Sequence, residues 1–117
     1  MLRISPEAVP FSPVTMEGAS GCEIRELITA ADGAPTFAMR HFEIATGGHT
    51  PYHSHPWEHE VYILSGSGYL RIVDGHRPFT QGDAVYVAPG EEHSFVNDGS
   101  EPLQFLCMIP VAEACCR

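Results

Sequence analysis

The chain has 117 residues, 44% of them hydrophobic, and a formal net charge of −9 at pH 7. This length suits a single domain with one core. The acidic balance argues against nucleic acid or an anionic membrane as a partner, because both need basic patches. No apolar run approaches the roughly 20 residues that span a bilayer. The N-terminal residues lack the apolar stretch of a secretory signal, so we expect a cytoplasmic protein.

Residues 1–21 contain several prolines and glycines, and they are predicted to form an irregular arm with at most a short edge strand. From Cys22 onward, apolar or alternating runs recur about every 8–12 residues, separated by turns that contain glycine or proline. No long stretch has the 3.6-residue period of a helix. We therefore predict a single all-β domain, a sandwich or barrel, over residues 22–111, followed by a tail at residues 112–117.

The second predicted strand, residues 37–45, places Arg40, Phe42 and Ile44 on one face and is followed by a predicted turn at residues 46–48. Asp74-Gly75 is a strong signal for a two-residue hairpin. The predicted strands are, in chain order, residues 23–29, 37–45, 61–64, 69–73, 84–87, 93–96 and 103–109.

The four cysteines are Cys22, Cys107, Cys115 and Cys116. They form neither a CxxC pair nor the spacing of a disulfide framework or zinc ribbon. Cys115 and Cys116 fall on the predicted tail, whereas Cys107 falls on the last predicted strand. A structural role as a small buried side chain is the simplest interpretation of Cys107.

Three histidines, His53, His55 and His59, lie within seven residues. One residue separates His53 from His55, so on a strand both imidazoles share a face. A fourth histidine, His93, follows a Pro-Gly turn. Neutral imidazole is the commonest nitrogen ligand for transition metals, so these four residues are predicted to hold one metal ion.

The remaining histidines, His41, His49 and His76, have no such neighbours in the sequence and are expected to be surface or structural residues. Glu60 is the alternative to His59 as a ligand, because it lies five residues after His55. Adjacent strand residues point to opposite faces, so His59 and Glu60 should not both bind.

The spacing of the histidine cluster resembles the first sequence motif of the cupin family. In that motif a glycine precedes a pair of histidines by a five-residue gap, and a second glycine follows. Gly47, His53, His55 and Gly66 occupy these positions. His59 stands at the position where the family usually has glutamate, and six residues separate it from Gly66 as the motif requires.

A second segment resembles the second cupin motif. Gly82, Gly90, His93 and Asn97 have its spacing, and Ala88 replaces its proline. Together the two motifs span residues 47–97. The resemblance implies a single-domain cupin of the cupin 2 type, with a double-stranded β-helix or jelly-roll barrel whose open mouth holds the metal.

Within the family, the chain is similar to small manganese cupins with four histidine ligands, one of which comes from a thermophilic bacterium. That resemblance implies a homodimer and one divalent transition metal, with manganese foremost. Iron, nickel, copper and zinc also suit imidazole ligands. The implied activity is that of a metal-dependent, dioxygenase-like oxidoreductase that cleaves an alkene carbon–carbon bond in a small apolar or aromatic molecule.

The open mouth that the cupin resemblance implies favours a catalytic metal centre over a closed structural one. A divalent ion held by four imidazoles keeps its full charge, and octahedral coordination would leave two positions for substrate or dioxygen. Two alternatives stay open. One is a non-catalytic module that binds or senses a sugar-like small molecule. The other is a Lewis-acid isomerase, with Glu58 or Glu60 as its base.

Two predicted strands supply candidate residues beside the metal. Arg40 shares a face with Phe42, and Cys107 shares a face with Phe105 and Ile109. The resemblance implies that these faces point inward, which makes Arg40 and Cys107 candidate catalytic residues and exposes Cys107 to an oxidant. A surface or ion-paired role is the alternative for Arg40.

Tyr52 and Trp57 are expected to edge the opening of this pocket, and simple loop packing is their alternative role. The candidate substrate-pocket residues are therefore Phe42, Tyr52, Trp57, Phe105 and Ile109.

Overall fold

The computed structural model describes residues 1–111, which form nine β-strands and two short 3₁₀ turns, Pro6–Ala8 and Ala30–Asp32. The predicted tail, with Cys115 and Cys116, lies outside the described residues. The strands are β1 (Ser12–Pro13), β2 (Ser20–Ile28), β3 (Phe37–His49), β4 (His59–Ser65), β5 (Ser67–Ile72), β6 (Gly75–Thr80), β7 (Ala84–Val87), β8 (Ser94–Val96) and β9 (Leu103–Pro110).

The strands form one curled sheet in which every pairing between strands is antiparallel. Its order is β6-β5-β8-β3-β9-β4-β7, while β2 also pairs with β3 and β1 with β2. This architecture confirms the predicted all-β jelly-roll fold. Among residues 1–111, no helix has the length and apolar character needed to cross a bilayer.

The core lies on the concave side of the curled sheet, and strand alternation selects the residues that fill it. Along β9, Leu103, Phe105, Cys107 and Ile109 are at most 3% exposed, whereas the residues between them are half-buried. This period of two is what places alternate side chains on one face. Burying a side chain such as Phe105 contributes about 1.5–3 kcal/mol.

The register between β3 and β9 fixes the side chains that meet inside the barrel. Arg40 lies opposite Cys107, and Phe42 lies opposite Phe105. On the other side of β9, Val61 of β4 pairs with Cys107. Directly paired residues project from the same face of a sheet, so these side chains form rows across its concave surface.

The predicted turn at residues 46–48 is wrong, because β3 continues through it to His49. Gly47 has a φ of +81°, which accommodates the irregular backbone without ending the strand. A Cβ atom on Gly48 would lie 2.4 Å from the carbonyl oxygen of Ser20, so the glycine permits the close approach of β2. Glycine here marks a distortion within a strand rather than its end.

Strand β6 was absent from the sequence prediction, although the Asp74-Gly75 turn before it was expected. Its residues His76, Arg77 and Pro78 are all exposed and give no alternating pattern. A proline is compatible with this position because β6 forms one end of the strand order, where a backbone N–H is not required for pairing.

Asn97 fastens the end of β8 to the neighbouring strand. Its side chain is fully buried, and its Nδ2 donates to the carbonyl oxygens of Ile44 at 2.9 Å and Glu101 at 2.8 Å. Its Oδ1 accepts from the backbone N–H of Gly99 at 3.0 Å. These bonds explain why an amide suits this position: a buried side chain must have its polar atoms paired.

A cluster around His41 holds the N-terminal arm against the outside of the sheet. Arg25 donates from Nε to His41 Nδ1 at 3.1 Å, and its guanidinium lies 4.2 Å from the centre of the Phe11 ring. Because Nδ1 accepts from arginine, the imidazole proton lies on Nε2, which donates to Gln104 Oε1 at 2.9 Å. Burial lowers the pKa of His41, so the folded protein favours the neutral ring.

We predict that acid weakens the fold through His41. The folded pKa lies below the unfolded value near 6.5, so at lower pH the unfolded chain binds the extra proton and stability falls, by up to about 1.4 kcal/mol per pH unit. Urea unfolding of metal-free wild-type protein and H41Q from pH 7.5 downward measures this. The difference in unfolding free energy between wild type and H41Q should shrink as pH falls. A difference independent of pH would contradict the lowered pKa of His41.

Candidate metal centre

The two sequence motifs meet through an antiparallel bridge between His53 and His93. The backbone N–H of His53 donates to the His93 carbonyl at 3.1 Å, and the reverse bond is 2.9 Å. Thr50 adds two bonds: its Oγ1 accepts from the N–H of Phe95 at 2.8 Å, and its carbonyl accepts from Ser94 Oγ at 2.6 Å. The histidine-rich loop is therefore tied to the start of β8.

The four predicted ligand residues lie together and line the same cavity. The ring centres of His53 and His55 are 4.3 Å apart, those of His55 and His59 5.3 Å, and those of His59 and His93 5.0 Å. The ring of His93 is 5.5 Å from that of His53. Three separate parts of the chain thus bring four imidazoles into one cluster.

Two of the rings are held by neighbours outside the cluster. His93 Nδ1 donates to the carbonyl of Glu91 at 2.9 Å, which leaves the lone pair on Nε2. Burial lowers the pKa of His93 and so favours the neutral form that binds metals. The indole of Trp57 stacks on the ring of His55 at 4.4 Å, with 12° between the planes.

The donor set fits a divalent transition metal in its chemistry and proximity. The Nε2 atoms of His53 and His55 are 3.1 Å apart and share a hydrogen bond, close to the roughly 3 Å between adjacent nitrogens on an ion with bonds of about 2.1 Å. Within residues 1–111, however, no three His, Cys, Asp or Glu side chains are already arranged to hold an ion. The rings would have to reorient to bind one.

The structure separates His59 from its alternative, Glu60. His59 is the first residue of β4 and is 5% exposed, with its ring beside the other imidazoles. Glu60 is exposed and pairs with Met108 and Tyr86 on the outer face of the sheet. Strand alternation places only His59 on the inner side, which supports His59 as the ligand.

The four imidazoles line part of a cavity of about 310 Å³, a size suited to a small ligand. Three aromatic rings form a stacked wall. The ring centre of Phe105 lies 5.2 Å from that of Phe42 and 4.8 Å from that of Phe95. The lining residues are Val14, Met16, Ile24, Glu26, Arg40, Phe42, Thr50, Pro51, His53, His55, His59, His93, Phe95, Phe105 and Cys107.

Arg40 and Cys107, the two predicted catalytic residues, both line this cavity and touch each other. Arg40 is 5% exposed, and its Nη2 donates to Cys107 Sγ at 3.1 Å. The guanidinium carbon lies 5.0 Å from the centre of the Phe42 ring. A cation buried in an otherwise apolar wall is expensive to desolvate, which marks it as a functional candidate.

Three of the predicted pocket residues lie outside the cavity lining. The ring of Tyr52 is covered by the guanidinium of Arg71, whose carbon is 4.3 Å from the ring centre. The Trp57 ring stacks on His55, a candidate metal ligand, and does not line the cavity. Ile109 is 1% exposed and pairs with Ala38, farther along β9 in the core.

Several lining residues were missed by the sequence analysis. Ile24 and Glu26 alternate along the first predicted strand, so their shared face was a usable signal. Val14 and Met16 belong to the arm, where no periodic pattern pointed to a cavity. Thr50, Pro51 and Phe95 lie beside motif histidines and could have been found by their proximity to them in the chain.

The curled antiparallel sheet and the cavity lined by the four histidines together define a jelly roll with a candidate metal site. Residues 40–109 match the model of the Cupin domain, and the chain therefore belongs to the cupin family. The family assignment predicted from the two motifs is confirmed.

Individual relatives have different names. The chain is 31% identical to an oxalate-binding protein of Thermotoga maritima, covering 93% of both chains. It is also 31% identical to 1-methylthio-D-xylulose 5-phosphate methylsulfurylase of Rhodospirillum rubrum over 87% of this chain, but spans only 59% of that protein. Among solved structures, it is similar to the polyketide cyclase RemF of Streptomyces resistomycificus, with a TM-score of 0.89 and 35% identity, covering 95% of this chain and 80% of that one.

We predict that H59A weakens divalent metal binding at least 10-fold, because it removes an inward imidazole, whereas E60A leaves it within about twofold. Calorimetric titration of metal-free protein with Mn²⁺ and Zn²⁺ measures both variants. The two substitutions alter neighbouring residues of the same strand and thus control for damage to β4. A greater loss in E60A would show that the carboxylate is the ligand.

Proposed function

We propose that this cupin is a metal-dependent enzyme that oxidises a small apolar or aromatic molecule, with dioxygen or peroxide as the oxidant. The observation that carries the proposal is the position of four imidazoles at the end of an apolar, aromatic-walled cavity. Binding sites for small molecules are commonly apolar cavities with a few polar groups that converge on the ligand.

His53, His55, His59 and His93 would hold the metal, with manganese as the first candidate and iron, nickel, copper and zinc as the others. When bound, the ion would supply a Lewis acid and, for a redox-active metal, the electron chemistry that dioxygen requires. The Glu91 carbonyl fixes the His93 tautomer, and the Trp57 ring limits rotation of His55.

The cavity walls orient the substrate and keep water away from it. Phe42, Phe95 and Phe105 present a stacked aromatic surface against which a planar or branched apolar group can pack. Exclusion of water strengthens electrostatic interactions within such a site and limits side reactions. For an alkene substrate, one dioxygen molecule would provide both oxygen atoms of the two carbonyl products.

A second candidate is intramolecular cyclisation of a polyketide, supported by the similarity to the polyketide cyclase RemF. Such a condensation consumes no oxidant but requires removal of a proton from carbon, and thus a base. Glu58 and Glu60 are exposed and absent from the cavity lining, where Glu26 is the one carboxylate among the described residues. The position of Glu58 and Glu60 outside the cavity also weakens the Lewis-acid isomerase alternative, because that alternative used one of them as its base.

The requirement for an oxidant distinguishes these activities. We expect the metal-loaded protein to convert members of a panel of small aryl alkenes in air, with loss of activity after degassing or removal of the metal. Where dioxygen is the oxidant, mass spectrometry with ¹⁸O₂ should show label in both carbonyl products. Turnover that continues without any oxidant would contradict the oxygenase proposal.

Two further results would favour the alternatives. Oxidant-independent cyclisation of a linear poly-β-ketone by the same preparations would support the cyclase, with H53A as the inactive control. Tight ligand binding without turnover across all five metals would support a binding module, as the similarity to an oxalate-binding protein suggests.

We also propose that the functional unit is a homodimer. Tyr62 and Leu64 on β4 and Tyr86 on β7 are 46%, 36% and 60% exposed. The register pairs Glu60 with Tyr86 and thereby places all three apolar side chains on the outer face. A grouped exposed apolar surface of this kind commonly marks an interface.

We predict that Y62E with Y86E converts the dimer to a monomer, because two buried carboxylates would oppose association. Sedimentation equilibrium measures the mass, and V73E on the exposed hairpin is the matched control, since Val73 is 81% exposed and outside this face. A dimer that persists in the double variant would place the interface elsewhere.

A further inference from the structure

Arg40 is a buried cation for which the described part of the chain provides no anion. It is 5% exposed and lines the cavity, yet it forms no ion pair with any carboxylate among residues 1–111. Its side-chain contacts are the hydrogen bond to Cys107 Sγ and the ring of Phe42. A buried charge without a counter-ion is unfavourable unless a ligand supplies one.

The guanidinium has hydrogen-bonding capacity to spare. It carries five N–H donors in a planar fork. One of them, on Nη2, donates to Cys107 Sγ. The Nε atom is buried without a hydrogen-bond partner. A carboxylate is the anion whose two oxygens match such a fork.

The surroundings of Arg40 specify the rest of the ligand. Phe42, Phe95 and Phe105 form the neighbouring wall, and the cavity of about 310 Å³ has room for a compact apolar body beyond the charged group. The candidate metal ligands are imidazoles, which carry no negative charge whether neutral or protonated, and so add none to the cavity. A divalent ion among them would increase its attraction for an anion.

Glu26 is the one carboxylate among the described lining residues that could compete for Arg40. The two residues are directly paired between β2 and β3, and both line the cavity, yet they form no ion pair. Glu26 is exposed, so its carboxylate keeps its hydration instead of entering the apolar wall. Its negative charge lies where it would oppose, rather than assist, an incoming anion.

We propose that Arg40 is the anion-binding residue of this cavity and that the ligand is a small monocarboxylate with an apolar, preferably aromatic, body. The guanidinium fork binds the carboxylate, and the phenylalanine wall packs against the body. This proposal rests on the proposed function, since it names the substrate class of the same site. It also gives Arg40 a positioning role that can be measured without turnover.

Calorimetric titration of the full chain after metal removal tests the proposal with two probes of equal shape, 3-phenylpropanoate and neutral 3-phenylpropanamide. Wild-type protein should bind the carboxylate at least 10-fold more tightly than the amide. R40M conserves volume and removes the fork, so it should lose this preference. E26Q changes the paired residue across the same cavity and should keep the preference, with carboxylate binding equal or tighter.

Retention of the carboxylate preference in R40M, its loss in E26Q, or its absence from the wild-type protein would each overturn the proposal. The wild-type comparison decides even if R40M fails to fold, which circular dichroism would reveal. R40K then serves as the second variant: it keeps the charge without the fork and should retain only part of the preference. A full preference in R40K would contradict recognition by the fork.

The test is independent of the oxidation experiment. A carboxylate preference in metal-free protein, together with turnover that needs no oxidant, would keep the anion site and remove the oxygenase. Oxidant-dependent turnover with no carboxylate preference would keep the oxygenase and remove the anion site. Fluorescence of Trp57, the single tryptophan, gives a second binding signal because its ring stacks on His55 at the cavity.

Discussion

The backbone bridge between His53 and His93 is the contact on which the site depends. It joins two segments that are 40 residues apart in the chain, and its pair of hydrogen bonds sets their relative position. Imidazoles are short, so ligands from two loops can meet only if the backbones are held closely together. The bonds of Thr50 to Ser94 and Phe95 extend this contact, and Asn97 fastens the other end of β8. The positions of the clustered histidines are therefore set by hydrogen bonds that join their two segments to each other and to the sheet.

Strand positions and the cupin family could be predicted from the sequence because they depend on local signals. Alternation along β9 identified Phe105 and Cys107 as one face, and the spacing of glycines and histidines identified the family. The turn expected at residues 46–48 failed because Gly47 takes a positive φ within β3 and Gly48 permits the close approach of a distant partner, Ser20 on β2. Local sequence does not contain that information.

The cavity was less predictable than the fold for the same reason. Trp57 was expected at the opening of the pocket, but its ring stacks on His55 instead. Tyr52 is likewise taken by Arg71. Conversely, alternation along the first predicted strand groups Glu26 with Ile24, but the position of Glu26 opposite Arg40 depends on strand register, which cannot be read from either segment alone. Side-chain contacts between distant segments decide which residues face the ligand.

The N-terminal arm has a consequence for how this site can change over evolution or by design. Val14 and Met16 form part of the cavity wall, although they lie between β1 and β2 and belong to neither strand. The Arg25–Phe11–His41 cluster holds the preceding residues on the outside. The wall is thus attached to the barrel at a point separate from the cavity. Val14 also packs against the core, so its substitution would disturb the core as well as the cavity. Met16 is 47% exposed, so residue 16 is the position where a substitution would change the shape of the cavity while the core keeps its own contacts.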